Sequence, residues 1–113
     1  MVDNIERRRS LDRVFAAVAD PTRRAILSRL RKGPASIGEI ARPFSVSLNA
    51  ISKHVKVLEG AGLVRRRVVG RRHYCVAEPK AMEDAEAWLA HYRSFWTARL
   101  DALERHLIRR RPH

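Results

Sequence analysis

Cysteine occurs once in these 113 residues, at Cys75. One thiol excludes an internal disulfide and any metal cage built from several cysteines of one chain. Acidic residues are scarce. Only 12 Asp and Glu stand against 24 Lys and Arg, giving a formal net charge of +12. A sequence pI near 11.4 is the electrostatic footprint of a nucleic-acid binder. Long apolar runs are also missing. No stretch is long or apolar enough to span a bilayer, and the opening MVDNIERRRS lacks the apolar run of a signal peptide. The expectation is therefore a cytoplasmic protein with no membrane partner. A membrane-surface role would place the basic residues on one polar helix face beside a bulky apolar one, but here they fall in several elements. The chain has no glycine-rich phosphate loop, no paired nucleophile and base, and no carboxylate pair suited to a cleft, which argues against an enzyme.

What is present centres on Ser45–Val64, SVSLNAISKHVKVLEGAGLV. Ser47 is a good N-cap, because its hydroxyl can accept a bond from an unpaired N–H of the first turn. Ile51, Val55 and Leu58 recur at helical spacing and share one face. Asn49, Ser52, Lys53 and Lys56 occupy the other. Gly62 sits where a left-handed turn would end the helix. An apolar keel under an amide, a hydroxyl and two lysines suits a helix in a DNA major groove. Phosphates would meet the lysines, and base edges would meet Asn49 and Ser52. The plainer alternative is a solvated surface helix, so the flanking segments decide.

A chain of 113 residues supports one small domain. Residues 1–9 read as a loose basic arm, and Ser10 as the cap of a first helix bearing Leu11, Val14, Phe15 and Val18. Asp20-Pro21 opens a second helix, with Ile26, Leu27 and Leu30 inward and Gly33-Pro34 closing it. Ser36-Ile37-Gly38-Glu39 matches a capping box and starts a short third helix, IGEIARPF. A tight turn then leads into the Ser47–Ala61 helix, which makes a helix-turn-helix.

Two β-prone runs follow, Leu63–Val69 and Arg71–Val76, meeting at Gly70 as a hairpin. Arg65, Arg66, Arg67, Arg71 and Arg72 would repel one another without anions between them. A wing lying along the phosphate backbone meets that need; an edge hairpin charged against aggregation is the alternative. From Pro79 a last helix of ~25–30 residues, roughly 40 Å long, is expected. Leu89, Tyr92, Trp96, Leu100, Leu103 and Leu107 form a stripe that a core this small cannot cover. Together with Leu11 and Phe15 they are expected to form a two-fold interface with a second copy, unless the stripe folds onto its own domain.

The order helix, helix, helix-turn-helix, wing, long helix, with FAAVADPTRRAILSRL, SIGEIA, VSLNAISKHVKVLEGAGLVRRR and VGRRHYCV, resembles the ArsR-type winged helix-turn-helix repressors. DPTRR and the aromatic final helix look like the branch without metal-binding cysteines. The resemblance implies a mainly α fold with a small β-hairpin. Residues 10–78 would be the DNA-binding core, 63–77 the wing and 79–108 a dimerisation helix. It implies a homodimeric repressor on double-stranded DNA, with Ser47, Leu48, Asn49, Ser52, Lys53, His54 and Lys56 on or beside the recognition surface and the wing arginines flanking it. Three positions depart from the pattern. Glycine is common where Ser45 stands and glutamine where Leu48 stands, and Pro43 is unusual. Leu48 offers no hydrogen bond and suits a thymine methyl. A non-sequence-specific architectural binder of DNA or RNA is the alternative function, and an interaction adaptor is a third.

No metal or other cofactor is expected. Metal-sensing relatives place cysteines in the third helix, where this chain has Glu39-Ile40-Ala41-Arg42. Asp84, Glu86, His91 and His106 of the last helix lack the i, i+4 spacing that would put two ligands on one face. Cys75 reads as a small half-buried hydrophobe or, more sharply, as a redox-sensitive thiol made acidic by nearby arginines. The sequence names no inducer.

Overall fold

A computed structural model describes residues 2–110, with side chains from residue 5. The element order is α1 (Val2–Val18), α2 (Pro21–Leu30), α3 (Ile37–Ala41), α4 (Leu48–Gly60), β1 (Val64–Val69), β2 (Arg72–Ala77) and α5 (Pro79–Arg109). This is the expected mainly helical chain with one hairpin and a long final helix.

The first helix corrects the sequence reading. Met1 lies outside the described residues, but the rest of the expected loose arm is helix, and Ser10 is inside α1 rather than at its start. Glu6 and Arg7–Arg9 are good helix formers, and serine costs only a few tenths of a kcal/mol mid-helix, about 0.5. No signal there was strong enough to stop the helix. It ends at Val18 because α2 supplies the partners for its last carbonyls. Arg23 donates from Nε to Ala17 O at 2.6 Å and from Nη2 to Ala16 O at 3.0 Å, and Arg24 Nη1 donates to Val18 O at 2.8 Å. Basic side chains at a helix C-terminus satisfy such orphan acceptors.

The expected caps form. Asp20 Oδ2 accepts from Arg23 N–H at 2.9 Å and Pro21 takes the first position of α2. Ser36 and Glu39 make the reciprocal capping box that starts α3. That helix is shorter than IGEIARPF. It stops at Ala41, because Pro43 has no N–H to carry the ladder on. Ser47 Oγ accepts from Ala50 N–H at 3.1 Å, and α4 runs to Gly60 with Ala61 as C-cap. Gly62, at φ +75°, makes the left-handed exit.

The core lies where α1, α2, α3 and α4 meet the root of the hairpin. Val14, Ile26, Ile40, Ile51, Val55, Leu58, Leu63 and Cys75 are its largest fully buried side chains, and among the described residues no buried one is polar or charged. Burying each such aliphatic side chain contributes about 1.5–3 kcal/mol. The strands pair antiparallel with Val64 opposite Ala77 and Val69 opposite Arg72. Gly70, at φ +65°, takes the first central position of the two-residue turn, as a type II′ hairpin requires. Ala35, just before α3, adds a bridge to β2: its N–H donates to Cys75 O at 3.1 Å, and it accepts from Cys75 N–H at 2.7 Å. The wing is thereby tied to the α2–α3 connection.

Of α5, only Ala85 is buried. Leu89, Tyr92, Trp96, Leu100, Leu103 and Leu107 are 50–60% exposed. The stripe therefore does not fold onto its own domain. Leu11 and Phe15, expected beside it, are half-buried against the core of their own chain, and Phe15 meets Trp88 edge-on at 5.3 Å.

Candidate nucleic-acid interface

The α4 keel fixes which side chains face out. Ile51, Val55 and Leu58 are fully buried, which turns Asn49, Lys53 and Lys56 to the exposed face, with Ser52 half-buried at its edge. Leu48 is 59% exposed at the start of the helix. Ser47 is exposed too, but its oxygen accepts the capping bond from Ala50, which leaves its hydroxyl proton and a second lone pair facing outward. Val57, 45% exposed, extends the same surface and was missed in the sequence, where it resembled a core residue.

His54 sits elsewhere. It turns back onto the start of α2, with Nδ1 3.3 Å from Arg23 Nη1 and 3.9 Å from Asp20 Oδ2. The neutral ring can accept from Arg23, and a protonated ring would pair with Asp20 instead. The recognition surface implied for His54 is thus corrected to a brace between α4 and the α1–α2 corner. Asp20 is held below its ordinary carboxylate value, first by the Arg23 N–H, against some desolvation, and then by the charges of His54 and Arg23.

The strand register divides the five wing arginines. Arg66 stands opposite Cys75, on the strand face that carries buried Val64. Its Nε donates to Glu59 Oε1 of α4 at 2.8 Å. Arg65, on the other face, pairs through Nε with Glu78 Oε2 at 2.9 Å. Among the described residues, no carboxylate lies within 4.0 Å of Arg67, Arg71 or Arg72. The anions that the sequence seemed to lack are therefore supplied by the protein for two arginines, at the root of the wing, and not for the other three. Neither Glu59 nor Glu78 carried a motif that could have announced this.

Cys75 is 1% exposed. Burial pushes its thiol up, outweighing the opposing pull of Arg66. Of the two readings of Cys75, the small hydrophobe fits this position, fully rather than half buried, and the acidic thiol does not. Among the described residues, no three His, Cys, Asp or Glu gather as metal ligands, and no helix is long and apolar enough to cross a membrane. A groove of about 530 Å³ opens between α2 and the start of α5, lined by Leu27, Leu63 and Met82 together with Arg31, Glu83 and Glu86. Its walls come from distant parts of the chain, so no sequence pattern could have assembled it.

Comparison with known proteins agrees with this geometry. A family profile described as a helix-turn-helix domain, HTH_20, matches residues 18–67. The HTH-type transcriptional regulator Rv2034 of Mycobacterium tuberculosis is 44% identical over 92 residues, which cover 81% of this chain and 83% of that protein. The crystal structure of the ArsR family transcriptional regulator RHA00566 is similar at a TM-score of 0.72 and 42% identity, over 79% of this chain and 92% of that one. The homodimeric winged helix-turn-helix DNA-binding domain of Mb0332 from Mycobacterium bovis is similar at a TM-score of 0.58 and 27% identity, over 92% and 87%. The chain belongs to the ArsR family of winged helix-turn-helix transcriptional regulators.

Proposed function

We propose that this regulator is a cytoplasmic homodimeric repressor that reads an inverted-repeat operator in double-stranded DNA. The observation that carries the reading is the α4 surface. Leu48, Asn49, Lys53 and Lys56 stand exposed over a buried keel, and the hairpin that follows carries three arginines unclaimed by any described carboxylate. In the major groove the Asn49 amide is matched to an adenine edge and Leu48 to a thymine methyl. Lys53 and Lys56 neutralise phosphates and fix the register. Ser47 and Ser52 lie at the margin of this contact. Arg67, Arg71 and Arg72 of the wing hold the flanking backbone or reach the minor groove.

Residues 79–108 supply the second half of the function. A stripe from Leu89 to Leu107, uncovered in the single chain, supports pairing with a second copy, and the homodimeric state of Mb0332 supports the same assembly. Two-fold symmetry then calls for half-sites about one helical turn apart, roughly 34 Å, or a multiple of it. Repression follows from occupying a promoter.

The test is titration of the purified protein against its own upstream DNA and a scrambled duplex of equal length, with size analysis of the complex. A preference of ~10³-fold or more, with two chains per site, is the expected result. Equal affinity, followed by a random-pool selection that never converges, would replace the repressor by a non-sequence-specific architectural binder. No affinity for either duplex would end the reading.

A further inference from the structure

The wing carries five arginines, but two are already neutralised from within the chain. Arg66 meets Glu59 at 2.8 Å, the two side chains being 33% and 29% exposed, and Arg65 meets Glu78 at 2.9 Å with exposures of 56% and 39%. Ion pairs this open to solvent contribute little to stability. Their larger effect falls on the charge available to DNA. An arginine held by a carboxylate neutralises no phosphate and releases no counterion, and such release supplies essentially all of non-specific affinity.

We propose that Glu59 tunes the non-specific DNA affinity of the wing: by holding Arg66 against the end of the recognition helix, it withholds one cation from the DNA backbone and so limits affinity for random sequence. The inference rests on the DNA-binding function proposed above.

Three features single out Glu59 over Glu78. Arg66 lies on the core-facing side of β1, opposite buried Cys75, so its short route to a partner leads to α4. The Glu59–Arg66 pair is also the less exposed of the two. In addition, Glu59 lies one residue before the end of α4. The helix that faces the bases and the hairpin that faces the phosphates are therefore joined by one hydrogen-bonded ion pair. Breaking it frees a cation for the backbone of any sequence, which raises binding to random DNA.

The experiment compares the full-length protein with Glu59→Gln, which keeps the size of the side chain and removes its charge. Affinity for a duplex pool of random sequence is measured across a range of salt concentrations, so no operator need be known. Glu59→Gln is expected to bind random DNA several-fold more tightly at low salt. Its log–log salt dependence should steepen by about one phosphate contact, a slope change near 0.9. In an Arg66→Gln background the same change should produce no steepening. Glu6→Gln, on the exposed surface of α1, alters net charge equally and should leave the slope unchanged. Glu59→Asp, one methylene shorter, should fall between wild type and Glu59→Gln, and it serves if the first variant folds poorly. Steepening that persists without Arg66, or appears equally in Glu6→Gln, would overturn the proposal in favour of a general charge effect. An unchanged slope in Glu59→Gln would overturn it outright. A wild-type protein that binds no duplex would instead overturn the DNA-binding function itself.

Discussion

Asn49 is an exposed amide on the first turn of α4, with no hydrogen bond to satisfy inside its own chain among those of the described residues. A bidentate amide–adenine pair discriminates against the wrong base by ~1–3 kcal/mol. Asn49→Ala is therefore expected to lower operator affinity by that amount while leaving random-DNA affinity unchanged; equal loss on both would move the base-reading face elsewhere. Asp20 makes a second residue-scale prediction. Its folded-state pKa lies below the ordinary 3.8, because the Arg23 N–H donates to the carboxylate. A depressed carboxylate pKa stabilises the fold above the ordinary value, and that contribution is lost as pH falls through the lower, folded value. Asp20→Ala should lower the thermal midpoint by a few degrees at neutral pH, and the gap to wild type should close on acidification below 3.8. Asp20→Asn, still a good cap, should keep most of the midpoint and lose the acid dependence. Calorimetry across pH checks both. Cys75 carries the third. Buried, with its thiol pushed up, it should resist a thiol reagent in the native protein and react after denaturation. Rapid native labelling would show that the core around Cys75 opens in the native protein.

At the scale of elements, the wing is read as two halves. Arg71→Ala and Arg72→Ala should weaken binding to all sequences alike, each flattening the salt slope by about one contact. Arg66→Ala should flatten it less, since Glu59 already holds that guanidinium. Equal effects from all three would show that Arg66 leaves Glu59 on binding. The division was invisible in the sequence. The hairpin itself was legible, because two β-prone runs meet at Gly70, although the turn takes Arg71 as well and the second strand starts at Arg72; which arginine meets which carboxylate depends on strand register and on the reach of α4 and the β2–α5 joint. The same contrast holds elsewhere. The starts of α2, α3 and α4 were readable to the residue, since Asp20, Ser36 and Ser47 act on N–H groups two or three positions away. The exposed face of α4 was readable as well, because its keel follows helical spacing. The start of α1 was not, since Ser10 resembles a cap and only the continuity of the helix refutes it. Nor was the orientation of His54, which depends on the α1–α2 corner packing beneath α4. Local rules wrote the caps, the turn and the apolar stripes. Contacts between distant elements decided the rest.

The whole molecule is too open for a lone chain. A compact chain of this length has a radius of gyration of about 13 Å, and the Cα value is 19.7 Å, with a longest extent of 71 Å. A folded monomer of 13.0 kDa exposes about 6,300 Å² by size scaling, yet this chain exposes 9066 Å². The excess, close to 2,800 Å², is of the order that one subunit loses in an obligate dimer interface, about 1,000–2,500 Å². The α5 stripe contributes exposed apolar area to it; there the Trp88 and Tyr92 rings lie tilted against each other at 4.6 Å and Phe95 meets Trp96 edge-on at 5.8 Å. A charge placed there tests the assembly without touching the core. Leu100 is 60% exposed, so Leu100→Glu costs the single subunit little, but at the proposed two-fold interface it would bury a carboxylate, where unpaired charge is strongly penalised. The mass in solution should fall from twice 13.0 kDa to 13.0 kDa while helical content is kept. Operator affinity should collapse toward that of one half-site, because two α4 helices no longer arrive together at fixed spacing. A Leu100→Glu variant that stays dimeric would place the interface off this stripe. A wild-type protein that is monomeric and still prefers its operator would remove the need for an inverted repeat.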